Sequence, residues 1–576
     1  MSHNGESGDI RHGARGDGVV PYGDDDVRRY RALGLWNRTS LPAEIDAALA
    51  GHGDRPAVVT HTARWSYREL RDQVRTFASG VLAATALRPG DAVMFQMGNV
   101  EDTVVSYLGA LTAGLRPVCT LPQHGAREVG LLARHIGAAG LFTQTDFGKG
   151  QLPDIARALL ADGTVTSVVE ARGHAVDGAT GYDAVMAAGR DAGWGPVAAE
   201  HNGIALFQLS GGTTGLPKVA PRQHEEYVYN AKAWAHALGW GPDTVALYPL
   251  PLMHNAGIAL ALQPVLFAGG TLVLAPSADT HTLLDLIEAE RPTTLPLVPP
   301  ALAIRLLEEP RTRTVDLSTI RDFIVGGQRL AVEVAARLHR ELGIAVRQMF
   351  GMAEGMFTLT PADAGEYARY HTVGQPICAL DEIRIVDPAT NEEILDDTVG
   401  ELCVRGPYTI RGYYRAPEHN QRAFTADGFY RTGDLCRRHV IDGQTMYSID
   451  GRIKDVINRG VEKIHAEEIE ELILTHPGVA NAALVAMPDA VLGERACAYL
   501  IMEPGATALT VATLAEHLSA RGVAKYKLPE RVEIRERFPL SNVGKVSKKA
   551  LREDIEATLR CEQRAAVQPA RTGAPQ

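Results

Sequence analysis

Long apolar runs are missing from this chain. No stretch reaches the roughly 18 consecutive apolar residues that a membrane-crossing helix needs. The opening residues, MSHNGESGDIRHGARGDG, have no apolar core and do not read as a secretory signal, so a cytoplasmic protein is expected. Cysteine is sparse. The six residues Cys119, Cys378, Cys403, Cys436, Cys497 and Cys561 form no CxxC pair, so they read as core or bystander thiols and not as a zinc site. Excess positive charge is absent too: the formal net charge is −11 and the basic residues are dispersed, which argues against a nucleic-acid partner. There is also no GxSxG elbow, so a serine hydrolase has no support.

What remains is a 576-residue chain with 45% hydrophobic and 22% charged residues, a composition of globular proteins. That length exceeds one ordinary core and implies two or more domains, one of them large. The segment from Leu209 to Lys218, LSGGTTGLPK, organises the reading. Its glycines let backbone N–H groups approach a ligand, Ser210, Thr213 and Thr214 add hydroxyls, and Lys218 adds a positive charge. This is the inventory of a polyphosphate cradle. It is not a Walker A loop, because Pro217 stands before Lys218 and Val219 after it, where that loop has glycine and a hydroxyl. On its own the segment also fits an ordinary surface turn. The preceding Ile204 to Phe207 reads as a buried strand, which would place the loop at the end of a sheet.

Strand-like and helix-like patterns alternate along the first part of the chain. RPAVVT (55–60) and DAVMFQM (91–97) read as strands, and 65–83 as a helix, which predicts a mostly parallel sheet covered by helices. HEEYVYNAKAWAHALGW (224–240) reads as a helix with Tyr227, Ala231, Trp234 and Leu238 along one side. TVALYPLP (244–251) reads as a strand ending before His254 and Asn255. Segments 381–387, 400–406 and 445–451 alternate as antiparallel strands do, and 464–489 reads as a helix followed by a strand.

The company of the loop decides its meaning. YPLPLMHN (248–255), FGMAEG (350–355), FYRTGDL (429–435), GRIKDVINRGVEKI (451–464) and GKVSKKAL (544–551) follow it in order. In these stretches the chain resembles the adenylate-forming superfamily, which contains acyl-CoA synthetases, luciferases and peptide-synthetase adenylation domains. His254–Asn255, LSGG and RGPYTIRGYY (405–414) bring it nearest to the stand-alone aryl-acid AMP ligases that activate 2,3-dihydroxybenzoate or salicylate for siderophores. The resemblance implies an α/β fold with a large N-terminal domain of two αβ subdomains plus a small β-barrel, followed by a small mobile α+β domain. The corresponding bounds are a disordered leader at 1–27, the large domain at 28–452, the small domain at 453–560 and a disordered tail at 561–576.

It also implies roles. ATP and Mg²⁺ would meet Ser210, Gly211, Gly212, Thr213, Thr214, Gly215 and Lys218, with Glu354 as the metal carboxylate. Gly327, Gln328, Met349, Phe350, Gly351, Met352 and Ala353 would line the nucleotide side, Asp434 would accept the ribose hydroxyls, and Arg452 would reach ribose or phosphate. Lys545 would stabilise the carboxylate and α-phosphate, making Lys545, Lys218 and Glu354 the catalytic set. The acyl pocket would take in His254, Asn255, Ala256, Ala259, Val325, Gly326, Gly327, Met349, Gly351 and Phe357. Lys454 stands at the hinge position, and Arg459, Gly460 and Val461 would line the thiol tunnel, with Val461 where a second glycine is usual.

Asn255 stands where amino-acid activators carry an aspartate for the α-ammonium, which implies a substrate without that group. The dihydroxybenzoate pattern is broken by Ala256 in place of a tyrosine, and by Met349 and Phe357 in place of smaller aliphatics. A different ring acid is therefore expected, resembling hydroxyanthranilate, hydroxypicolinate or hydroxyquinaldate, with salicylate and dihydroxybenzoate as nearer variants. The chain has no LGGxS carrier motif, so the acyl group would pass to a separate pantetheinylated carrier protein or to coenzyme A. An aryl-CoA ligase and a non-catalytic adenylate-binding relative are the alternatives. Homodimerisation rests on family analogy alone.

Overall fold

The computed structural model describes residues 18–148, 151–197, 203–210, 218–395, 397–459, 462–489, 492–521, 523, 525–540 and 545–567. The chain divides into two compact units. One comprises Met1–Leu330, Val334–Arg384 and Cys403–Thr432, and the other Ala331–Glu333, Ile385–Leu402 and Gly433–Gln576.

Local sequence explains the covering helices of the first unit. In WSYREL, Ser66 caps the Tyr67–Ala84 helix: its hydroxyl accepts from the Glu69 N–H at 3.2 Å, and Glu69 accepts from the Ser66 N–H at 2.8 Å. Leu70, Val74, Phe77, Ala78 and Val81 recur at helical spacing and are all buried. Two largely parallel sheets lie in this unit. The seven-stranded sheet runs Thr180–Gly181, Ser167–Ala171, Ala138–Gln144, Ala92–Gln96, Arg116–Val118, Ile204–Ser210, Lys218–Gln223. The nine-stranded sheet runs Gln375–Pro376, Gly355–Leu359, Val346–Met352, Asp322–Gly326, Thr294–Val298, Val245–Tyr248, Thr271–Leu274, Pro56–Val59, Arg64–Ser66. Their central strands, such as Ala92–Gln96 and Thr294–Val298, are buried along their whole length, as strands covered on both faces must be. The parallel order brings the ends of Val245–Tyr248, Asp322–Gly326 and Val346–Met352 to one edge, where α/β proteins hold ligands.

A four-stranded sheet takes Glu382–Val386, Gly400–Arg405, Tyr430–Ile441 and Gln444–Arg452 in that order. In the second unit, Val479–Asp489 pairs with Gly493–Met502 inside a five-stranded sheet. Alternate side chains of that hairpin go to opposite faces. Leu484 and Ala498 join Ile469, Ile473, Leu514 and Leu518, whereas Val485 and Tyr499 join Leu551 and Ile555 of the Lys548–Val567 helix.

Two local expectations need correction. The polar leader is not unstructured to residue 27: Val19 and Tyr22 are buried, and a helix begins at Asp24. Tyr22, Tyr30 and Trp36 pack together, and the Trp36 indole N–H donates to the Pro407 carbonyl at 3.1 Å, so three aromatics anchor an otherwise polar segment. At the other end, the terminal helix continues past residue 560 to Val567. Asp434 lies inside the Tyr430–Ile441 strand, directly after Gly433 at φ 72°. Among the described residues no helix is long and apolar enough to cross a membrane.

Candidate functional site

Of the residues expected on the phosphate side, Ser210 and Lys218 stand opposite each other in the antiparallel hairpin Ile204–Ser210/Lys218–Gln223. Gly211, Gly212, Thr213, Thr214 and Gly215 lie outside the described residues. The Lys218 ammonium sits 5.1 Å from the centre of the Tyr413 ring. Burial pushes its pKa below the ordinary lysine value, and the charge of Glu354 pulls it partly back. Glu354 is itself buried, and its Oε1 accepts from the Tyr413 hydroxyl and, at 3.2 Å, from the Tyr430 hydroxyl. The two tyrosine oxygens are 2.8 Å apart. Burial first, then the Glu354 charge, raises the Tyr413 pKa, so its hydroxyl stays a donor. Both hydroxyls converge on one carboxylate oxygen, so among the described residues Oε2 keeps its lone pairs, which suit a hard cation.

A second layer fixes the turn that carries Glu354. The buried Arg222 donates to the Ala353 carbonyl at 2.7 Å and to the Tyr408 carbonyl at 2.9 Å. From the end of its strand it pairs with Glu226, in the first turn of the following helix, through bonds of 2.9 and 2.7 Å. Burial disfavours the Arg222 charge, but Glu226 outweighs it and holds the guanidinium protonated. The Ile410 N–H donates to the Glu354 carbonyl at 2.8 Å. Removing one partner of such a buried pair costs about 3–5 kcal/mol, so this strut is stiff.

The acyl-side residues follow the Val245–Tyr248 strand. His254 accepts the N–H of Ala256 on its Nδ1 at 3.3 Å, and its carbonyl accepts the N–H of Gly257 at 2.9 Å. Asn255 is only 6% exposed and is oriented by a directional chain. The Gln208 amide donates to the Tyr227 oxygen at 3.1 Å, the Tyr227 hydroxyl donates to Asn255 Oδ1 at 3.2 Å, and Asn255 Nδ2 donates to the Met352 carbonyl at 3.4 Å. Ala256 and Ala259 are buried at the start of a π-helical turn, Gly257–Leu262, a wide helical form that recurs at functional sites.

Two glycines interlock with the large side chains that set this chain apart. A Cβ on Gly326 would lie 2.6 Å from Met349 Sδ, and one on Gly351 would lie 2.4 Å from Phe357 Cδ1. Met349 and Phe357 therefore fill the space that side chains at 326 and 351 would occupy. Phe357 also packs against Trp234 and Tyr408, with ring centres 5.7 and 5.9 Å away. Behind it, the Tyr408 hydroxyl accepts the Phe357 N–H at 3.1 Å and donates to Asp381 at 2.8 Å. Burial pushes the Asp381 carboxyl up to about 8. Val325 is buried on the same strand as Gly326, whereas Gly327 and Gln328 are exposed. Phe350, Gly351, Met352 and Ala353 are half-buried.

In the second unit, Asp434 and Arg452 face each other in register across a hairpin and form an ion pair at 2.8 Å. Lys545 lies within the fields of Arg452, Asp434 and Lys454. Burial, then the Arg452 charge, pushes its pKa down to about 8, against the pull of Asp434. Arg459 pairs with Glu530 at 2.9 Å, while Gly460 and Val461 lie outside the described residues.

Composition and spacing did not single out Arg222, Tyr227, Tyr413 or Tyr430 as functional. The signal for Tyr413 was present in RGPYTIRGYY, which carries it beside Tyr414. Arg222 had a fainter one, a glutamate four residues later on a helix.

Comparison with known proteins adds the following. Residues 45–414 match the family described as AMP-binding enzyme, and residues 468–545 match the AMP-binding enzyme C-terminal domain. The chain is 41% identical to pyochelin synthase PchD of Pseudomonas aeruginosa over 540 residues, 92% of this chain and 95% of that protein. It is 40% identical to a salicylyl-CoA synthase / salicylate adenylyltransferase from a Streptomyces species over 552 residues, 94% of this chain and 98% of that protein. Its fold is similar to the apo structure of MbtA from Mycobacterium smegmatis, with a TM-score of 0.70 and 34% identity, covering 93% of this chain and 98% of that one.

Proposed function

The chain belongs to the AMP-binding enzyme family, in its stand-alone aryl-acid branch, and we propose that it joins an ortho-hydroxy aryl carboxylate to AMP and then hands the acyl group to a pantetheine thiol. The carboxylate oxygen attacks the α-phosphorus of ATP, pyrophosphate leaves, and the thiol later attacks the acyl carbon while AMP leaves. The first step brings two anions together and needs charge neutralisation and alignment more than a proton-transfer base.

In this reading Lys218, Ser210 and the loop 211–215 take the β- and γ-phosphates, and Lys545 meets the charge that develops at the α-phosphate. Asp434 takes the ribose hydroxyls, Arg452 reaches ribose or phosphate, and Phe350 and the residues around it flank the base. Glu354 would hold Mg²⁺, which supplies charge neutralisation to the phosphates when bound. The donor set fits that ion: both tyrosine hydroxyls bind one oxygen of the carboxylate, and among the described residues the other remains open. Mg²⁺ characteristically binds through one or two carboxylates plus substrate phosphates. Lys454 is the swivel about which the domain from 453 onward moves, and Arg459, Gly460 and Val461 border the thiol path. A cytoplasmic location goes with these substrates.

The observation that carries the substrate class is the orientation of Asn255. Tyr227 takes one lone pair of its carbonyl oxygen and Met352 takes one amide hydrogen, so the second N–H is the ready donor toward a ligand. An ortho oxygen accepts that N–H, whereas an ortho amino group would have to share the carbonyl oxygen with Tyr227. The same neutral amide cannot replace a carboxylate as partner for the α-ammonium of an amino acid. With Ala256 leaving room and Met349 and Phe357 filling their own side, ortho-hydroxy acids resembling salicylate, hydroxypicolinate or hydroxyquinaldate fit better than 2,3-dihydroxybenzoate. Coenzyme A as acceptor is the second reading, supported by the double name of the Streptomyces relative.

Loading tests the whole sequence. The protein, MgATP and salicylate are incubated with a pantetheinylated aryl carrier protein or with coenzyme A, and the products are weighed by mass spectrometry. A mass gain of one acyl group on the carrier is expected. Gain on coenzyme A alone would transfer the reading to an aryl-CoA ligase, and gain on neither across the ring acids above would overturn it.

A further inference from the structure

His419 has no task in the roles assigned above, yet it sits among the residues that have one. It belongs to the short Pro417–Ala423 helix, and its ring centre lies 5.2 Å from that of Tyr413. Tyr413 is the residue whose ring carries the Lys218 ammonium and whose hydroxyl donates to Glu354. The imidazole feels both: burial lowers its pKa most, the Lys218 and Arg422 charges lower it further, and Glu354 opposes them. A neutral imidazole results, with one N–H to give. Nε2 is buried and has no hydrogen-bond partner among the described residues.

A buried ring nitrogen left without a partner is costly, and native proteins rarely carry that cost without a use. The neighbours define what would relieve it. An ammonium and an imidazole N–H both donate to anionic oxygens, and the carboxylate bonded to the same tyrosine suits a divalent cation. Ammonium, imidazole and carboxylate around one aromatic ring match the terminal phosphates of a nucleoside triphosphate and its cation. They do not match an aryl carboxylate, which would meet the Glu354 charge without enough compensation.

We propose that His419 is a phosphate-binding residue whose Nε2–H donates to a terminal phosphate oxygen of ATP, and to the same oxygen in the departing pyrophosphate. The proposal rests on the adenylating reading of this site. The contact is made to the half of ATP that leaves, so it serves adenylate formation and its reversal and has no part in thioester formation.

The test uses the full chain with His419→Ala and His419→Gln, the latter keeping an amide N–H at about the reach of Nε2. Pyrophosphate exchange gives apparent KM values for ATP, pyrophosphate and aryl acid. Thioester formation from synthetic aryl-AMP gives the second half-reaction, and calorimetry gives direct affinities for MgATP and pyrophosphate. His419→Ala is expected to weaken ATP and pyrophosphate about ten- to hundredfold, the worth of a hydrogen bond to a charged group. The aryl-acid KM should stay within about twofold of the parent, thioester formation should be unchanged, and His419→Gln should recover much of the loss. Unaltered ATP and pyrophosphate affinities in His419→Ala would overturn the proposal, as would an equal loss in thioester formation or a glutamine variant no better than alanine. Absence of exchange in the parent protein would instead count against the adenylating reading, and calorimetry would then decide for His419 alone. If His419→Ala does not fold, His419→Gln and His419→Asn are compared, and the asparagine, whose N–H falls short of the Nε2 position, is expected to bind ATP the more weakly.

Discussion

Lys545 should give adenylate formation an alkaline limb that thioester formation lacks. Its ammonium is buried and lies in the field of Arg452, and the two together lower its pKa to about 8, with Asp434 opposing. In the proposed role the charged form is the useful one, because it would meet negative charge at the α-phosphate. The sign follows directly: the active protonated lysine dominates below about pH 8 and is lost as pH rises through that value. A single group of this pKa is about nine-tenths protonated at pH 7 and one-tenth at pH 9, so kcat/KM for exchange should fall about tenfold across that interval. The profile of kcat/KM reports the free protein, which is the state described here. Thioester formation from supplied aryl-AMP should rise over the same range, since a free thiol has a pKa near about 8.5 and reacts as thiolate. Lys545→Arg keeps its charge at every pH of interest. It should flatten the limb even though the planar guanidinium lowers the absolute rate. Asp434→Asn removes the charge that raises the Lys545 pKa and should move the limb to lower pH. A limb that persists unchanged in Lys545→Arg, or that appears equally in thioester formation, would refute the assignment.

Three further perturbations separate the parts of the site. Asn255→Ala should lower exchange with salicylate about tenfold, the upper worth of a neutral hydrogen bond, and leave plain benzoate within about threefold; equal losses would make Asn255 structural. Gly351→Ala places a Cβ 2.4 Å from Phe357, whose ring is hemmed by Trp234 and Tyr408. Overpacking of this kind costs about 1–3 kcal/mol, so thermal unfolding should shift down and the aryl-acid KM should rise; an unchanged melting temperature and aryl-acid KM would contradict the packing described. Glu354→Gln removes the carboxylate charge at the cation site; exchange should fall about a hundredfold and be partly restored by raised Mg²⁺, which near-normal exchange at low Mg²⁺ would contradict.

The parts of this site that could be read in advance are those whose chemistry is carried by a contiguous phrase. Lys218 follows a run of glycines and hydroxyls, Glu354 ends a strand beside Gly351, and Asp434 and Lys545 follow glycines in short phrases of their own. The parts that could not be read depend on contacts between distant positions. Tyr413 reaches Glu354 across 59 residues, Arg222 reaches the Ala353 carbonyl across 131, and Tyr227 reaches Asn255 across 28. Tyrosine and arginine are common residue types, and nothing local distinguishes these from others until the sheet edges bring them together. The leader shows the converse error. Its polar composition hides Val19 and Tyr22, and a few buried side chains suffice to anchor a segment that averages as polar. Strand–helix alternation predicted parallel sheets, which is the arrangement found, because such alternation leaves the connecting helices no other place than the sheet faces.

The measurement that bears most directly on the central claim is ATP–pyrophosphate exchange by the purified full chain against a panel of acids. The panel holds salicylate, 2,3-dihydroxybenzoate, 3-hydroxypicolinate, 3-hydroxyquinaldate, 3-hydroxyanthranilate and benzoate, with a long-chain fatty acid and amino acids as controls. Exchange should be confined to the aryl acids and strongest with an ortho-hydroxy ring other than 2,3-dihydroxybenzoate. Exchange driven best by an amino acid or a fatty acid would contradict the account, because no neutral amide held as Asn255 is held can serve either one.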